Sequence, residues 1–367
     1  MNYWDYIRVE DLLKLQGGAS GDESKLSNHE VLFITVHQVY ELWFKLALRE
    51  AISARDLFRK KPVPDVELAA AVRSFKRIST LFEQAVSHFK VVETLTTRDY
   101  LEFRDQLIPA SGFQSAQVRE LEVLLGLEEA RRVPLGKVKS FKEALKGEGG
   151  TESTALRRVE ARIADTPTLK DALYEWLART PIYGGAHSEE GTVHFLQSFL
   201  SSHRADAKIR LERAMQVAGT AVEAEEVRAR YEREMANAEA FLFAQEDPTA
   251  DEATKRRRRD VRAAAIFLES YRELPRLAWA REIVDSVLEM EQAMIMWRQR
   301  HARMVERVIG RRVGTGGSTG VDYLDETALK YRIFIDLWGV RALMLRAPIL
   351  PAVEHEDTYR FKVEDRS

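Results

Sequence analysis

No stretch of this sequence alternates apolar and polar residues with period two, whereas segment after segment repeats its apolar residues at three- and four-residue steps. A strand half-buried in a sheet needs the first pattern and an amphipathic helix the second, so the chain is expected to be all-α. Helices that each expose one apolar stripe must bury it against one another, which predicts a helical bundle with any ligand site between helices. The length of 367 residues with 45% hydrophobic and 31% charged residues supplies a substantial core. The expectation is one domain over 1–367, carrying a variable helical insertion at about 128–260, where the sequence turns rich in Ala, Glu and Arg.

The segment from Glu291 to Gly320 organises the rest. Met294, Trp297, His301, Met304, Val305 and Val308 share one helical face, and Arg298, Arg300, Arg303 and Glu306 take the other. His301 therefore points inward. An inward histidine among Met, Trp and Val is either a core residue with one hydrogen bond or a ligand to a cofactor, and periodicity alone does not separate the two. The helix runs into Gly314-Thr315-Gly316-Gly317-Ser318-Thr319-Gly320. Such a loop, with Gly314 and Gly316, lets backbone approach a ligand closely, or is simply a flexible turn. It is not a nucleotide loop, since Thr319 stands where a dinucleotide fingerprint needs glycine and no Gly-Lys-Ser/Thr ending follows.

From Ser27 a second strong helix opens with Glu30 three residues on, a capping-box pattern. Leu32, Phe33, Val36, His37, Tyr40, Trp43, Phe44 and Ala47 fill its inner face, with Glu41, Lys45 and Arg49 expected outside. His37 is thus a second inward histidine, one turn from Phe33. The seam Phe75, Ile78, Phe82, Ala85, Phe89, Val92 reads as scaffold. A short helix capped by Thr96 or Thr97 aligns Tyr100, Arg104 and Leu107. Arg104 there either pairs with Asp99 or Asp105 or turns its guanidinium fork to a ligand carboxylate. The N-terminal arm carries Tyr3, Trp4 and Tyr6, aromatics that need burial, on this chain or on a neighbour.

Composition closes several chemistries. Without cysteine there is no disulfide, no thiolate nucleophile and no thiolate-ligated iron or zinc. A net charge of −2 offers no general attraction to nucleic acid or anionic membrane. The first residues carry charges where a signal peptide needs an apolar run, and no stretch reads as a membrane span, so the cytoplasm is the expected compartment.

The blocks HEVLFITVHQVYELWFK, LTTRDYLEFRDQLIPASGFQS and MWRQRHARMVERVIGRRVGTGGSTG, with VDYL following, together resemble the tryptophan 2,3-dioxygenase family. The stretch 128–260 matches only loosely. The resemblance implies haem b and iron, with His301 as axial ligand and His37 as the distal histidine that hydrogen-bonds the indole nitrogen. It implies that Arg104 grips the substrate carboxylate, that Tyr100, Leu107 and Ser111 line the pocket beside Phe33, and that Thr315 contacts the amino-acid end of the substrate. Tyr3 and Tyr6 match arm tyrosines that enter the neighbouring subunit's site, implying a homotetramer built as a dimer of dimers. The implied activity is cleavage of the indole C2–C3 bond of L-tryptophan with O2 to N-formyl-L-kynurenine. Trp4 and the loop GGSTG depart from the family pattern and bear on substrate range. The alternatives are a relative that oxygenates a substituted tryptophan, by single-oxygen insertion to an oxindole, and a non-catalytic haem or tryptophan sensor.

Overall fold

The computed structural model describes residues 1–107, 114–134, 140–184, 187–312 and 320–361, and among them there is no strand. The all-α expectation holds. Two single turns, α1 (Tyr3–Tyr6) and α2 (Val9–Leu12), lead to the long α3 (Asn28–Phe58) and α4 (Leu68–Val92). Then come α5 (Thr97–Phe103), α6 (Ala116–Leu125), α7 (Phe141–Ala144), α8 (Thr154–Ala164) and α9 (Leu169–Leu177). The remainder is α10 (Glu189–Val217), α11 (Ala221–Leu242), α12 (Glu252–Ser270), α13 (Ala278–Ile309), α14 (Val321–Lys330) and α15 (Ile335–Arg341).

Local chemistry marks the helix ends. Ser27 Oγ accepts from the Glu30 N–H at 3.2 Å at the start of α3. Thr96 and Asp99 form a reciprocal capping box on α5, satisfying two backbone donors that the first turn leaves open. Gly126 ends α6 in the left-handed conformation, φ 99°, which a side chain would disfavour. The apolar spacing predicts one helix through Thr97 to Leu107; instead α5 stops at Phe103 and residues Arg104–Leu107 tighten into a 3₁₀ turn.

The chain divides into two compact units. The first comprises 1–54, 73–169 and 289–333, the second 55–72, 170–288 and 334–367. Of the stretch 128–260, residues 128–169 thus lie in the first unit, where α8 packs on α6, and the rest in the second. The core of the first unit is aromatic. Phe75, Ile78, Phe82, Ala85, Phe89 and Val92 of α4 are all buried, and the Trp297 ring meets Phe44 and Phe82 edge-on at 5.4 and 5.7 Å. Each such pair adds about 0.5–1.5 kcal/mol beyond the area it buries.

In the second unit α10 and α11 form a hairpin, and α12 packs on α10 and α15. Its anchor is Arg262, 1% exposed, which bonds Asp336 at 2.6 Å and stacks over the Phe241 ring at 4.0 Å. One sequence expectation is overturned by α3, which is long and apolar enough, by length and composition, to cross a membrane. Its Phe44, Ala47, Leu48 and Ala51 are buried inside the protein, while Leu42 and Leu46 on the opposite face are exposed.

Candidate active site

A cavity of about 430 Å³ opens in the first unit between α3, α5 and α13. Phe33, His37 and Glu41 line it from successive turns of α3, because residues four apart stack on one helical face. His301, Met304, Val305, Val308 and Ile309 line it from α13, and Val92, Tyr100, Leu107, Gln114 and Ser115 complete the wall. The two histidines that periodicity turned inward therefore meet in one chamber.

Each imidazole is held in a defined state. His37 Nδ1 lies 2.7 Å from the Phe33 carbonyl oxygen, which can only accept, so Nδ1 carries the proton and Nε2 keeps its lone pair. Burial lowers the His37 pKa, against the Phe33 carbonyl and the Glu41 carboxylate, which favour the charged form. The Phe33 and His37 rings lie 4.0 Å apart. The His301 ring lies against both Phe89, parallel at 5.5 Å and 3°, and Trp297, at 5.6 Å and 22°, in a cluster of three aromatic rings. Burial first, then the nearby His37 and Arg298, pushes its pKa down to about 4. At neutral pH it is a neutral nitrogen donor with its ring plane fixed.

Arg104 is half-buried and its side chain hydrogen-bonds Tyr100, the side chain that forms the adjacent wall. Tyr3 and Tyr6 are each 75% exposed on α1, which contributes no buried residue, so they do not reach this chain's own cavity. Ser111, Gly314, Thr315 and Gly316 lie outside the described residues.

Two residues assigned by sequence to outer faces are inside. Glu41 lines the cavity, and Gln117 Nε2 donates to both its backbone oxygen and its carboxylate Oε2 at 2.7 Å, tying α6 to α3. Arg298, 9% exposed, is buried one turn before His301. The four-residue step from His37 to Glu41 was the available signal for the first. The scaffold helix α4 also does more than expected, since Phe89 orients His301 and Val92 faces the cavity.

Among the described residues no three His, Asp or Glu side chains gather as they would around a bare metal ion. A metal at His301 would need to bring most of its ligands in a group of its own. A planar macrocycle does that, and the apolar α13 wall below a fixed, neutral imidazole fits one.

Fold and pocket define a class: all-α proteins whose ligand site lies between helices and offers neutral imidazole to a mostly apolar cavity. The comparisons narrow it. The chain belongs to the tryptophan 2,3-dioxygenase family, whose model matches residues 1–344. It is 64% identical over 365 residues to a tryptophan 2,3-dioxygenase of Sorangium cellulosum, covering 100% of this chain and 88% of that protein. A tryptophan 2,3-dioxygenase 2 of Ralstonia nicotianae is 56% identical over 364 residues, covering 99% and 98%. A tryptophan 2,3-dioxygenase-like protein of Xanthomonas campestris is 54% identical over 270 residues, 74% of this chain and 99% of that one.

Proposed function

We propose that this protein is a haem-dependent dioxygenase that cleaves the indole C2–C3 bond of L-tryptophan, placing both atoms of O2 in N-formyl-L-kynurenine. The observation that carries this reading is the pair of neutral imidazoles, His37 and His301, facing one cavity in a chain of this family. His301 would hold haem b through its lone pair, its ring angle kept by Phe89 and Trp297. When bound, the haem supplies the activation of dioxygen and the oxidising power of the reaction.

The protein's own part is orientation and exclusion of water. His37 Nε2, left unprotonated by the Nδ1 bond to the Phe33 carbonyl, accepts the indole N–H and holds that proton in place. Phe33, Tyr100, Leu107 and Ser111 pack the indole, and Arg104 grips the substrate carboxylate with a charge-assisted fork. Thr315 would contact the amino-acid end of the substrate, and Gly314 and Gly316 beside it are assigned to the haem by the family resemblance alone. Fixing the ring against the site of oxygen activation is where most of the acceleration resides. The apolar α13 wall keeps bulk water from competing.

Tyr3 and Tyr6 enter the site of a neighbouring subunit in a homotetramer built as a dimer of dimers. Their exposure on a turn with no buried residue supports this, because solvent-facing aromatics gain stability by covering a partner. Turnover of L-tryptophan under ¹⁸O2 tests the whole reading. Two labelled atoms in a ring-opened product are expected; one atom in an intact oxindole, or no oxygen consumption, overturns it. Haem reconstitution of His301→Ala supplies the second arm: an unchanged haem spectrum in that variant removes His301 as the ligand.

A further inference from the structure

One turn before His301 on α13 lies a buried charge cluster that the reaction above leaves unused. Glu122 of α6 is wholly buried and accepts from Arg298 at 2.7 Å, Arg132 at 2.7 Å and Arg119 at 2.9 Å. Among the described residues these guanidiniums share one buried carboxylate. Arg132 also meets Glu129 at 3.0 Å, but that carboxylate is 74% exposed and screened by water. Neutral groups also lie against these guanidiniums: the Tyr323 hydroxyl 3.5 Å from Arg119, the Phe141 ring 4.4 Å from Arg132, and the Tyr331 and Trp297 rings 4.7 and 6.0 Å from Arg298. The cluster therefore holds surplus positive charge where a balanced pair would serve packing at lower desolvation cost.

The position of that surplus is specific. Arg298 precedes His301 by three residues on one helix, an axial rise of about 4.5 Å. Adding an electron to a haem iron removes one positive charge, and a buried cation nearby favours that reduced state. We propose that Arg298 and Glu122 are positioning residues that set the reduction potential of the haem held by His301, the surplus guanidinium charge favouring the ferrous form that dioxygen requires. The inference rests on the haem assignment above.

Redox titration of the haem-loaded oligomer with indicator dyes tests it. Arg298→Gln removes a positive charge and shifts the ferrous-to-ferric ratio at fixed ambient potential several-fold towards ferric. Glu122→Gln removes the opposing charge and shifts it towards ferrous. The double variant, which restores the charge balance, returns close to the parent, and Arg298→Lys keeps the parent potential despite losing the fork. If Glu122→Gln does not fold, the contrast of Arg298→Gln with Arg298→Lys decides. Loosened packing that merely admits water would move both single variants towards ferric, and that result overturns the inference while leaving haem binding intact. Failure of the parent to bind haem overturns the functional reading itself, and this inference with it.

Discussion

Phe89 shows how a residue with no polar atom determines what a histidine does. Its ring is 1% exposed and lies parallel to His301, so the imidazole has one plane available to it. Phe89→Ala is expected to destabilise the protein by about 3–5 kcal/mol through the cavity it leaves. It should also speed haem loss, because the freed ring samples orientations that do not point at iron; urea unfolding and haem transfer to an acceptor protein measure the two effects. The polar anchors of the substrate should fail differently. Arg104→Leu removes one partner of a shielded ion pair, a loss of about 2–5 kcal/mol, so tryptophan binding collapses. His37→Ala removes a neutral hydrogen bond of about 1 kcal/mol and should slow turnover while leaving it measurable. Complete inactivity of His37→Ala with near-normal tryptophan affinity in Arg104→Leu would reverse these roles. The inward positions of His37 and His301 were legible because a 3.6-residue period sorts faces. Glu41 and Arg298 were not, because a helical wheel tells which residues share a face and not whether that face meets water or another helix.

Among elements, α6 and α13 are joined through Glu122, and the join has a pH signature. Burial alone would raise the Glu122 pKa, but Arg119, Arg298 and Arg132 outweigh it and hold the carboxyl well below the ordinary carboxylate range. A depressed folded-state pKa means that the unfolded chain takes up the proton first as pH falls. The contribution of Glu122 is therefore whole above pH 4.5, its ordinary value, and drains away below it. Glu122→Gln should cost about 3–5 kcal/mol at pH 7, since it leaves buried guanidiniums without their anion. The gap to the parent should narrow in acid, which urea titrations of both proteins at pH 7 and below 4.5 would detect; a gap independent of pH would mean that Glu122 is not the ionised hub. Helix existence was readable throughout, whereas the change at Arg104 from α-helix to 3₁₀ turn was not. Residues 104–107 keep a helical apolar spacing, and nothing in that spacing distinguishes four-residue from three-residue hydrogen bonds.

At the level of the whole molecule, the exposed aromatics of α1 decide the prediction. Deleting residues 1–7 should weaken tryptophan binding and the oligomer together, because one segment serves both; sedimentation and kinetics on the same preparation measure this. A full oligomer with unchanged KM would make the arm ordinary surface. That the chain has an arm was visible in Tyr3, Trp4 and Tyr6, but where its rings are buried is a property of the assembly, which a single chain does not contain. The exposure of Tyr3 and Tyr6 has a genetic counterpart. If each chain's pocket is finished by another chain's arm, a lesion in the arm and a lesion in the pocket fall on different sites of the assembly. Mixing an arm-deleted chain with one carrying Arg104→Leu would then yield hybrids in which an intact arm meets an intact pocket, and two impaired proteins would complement each other in one tube.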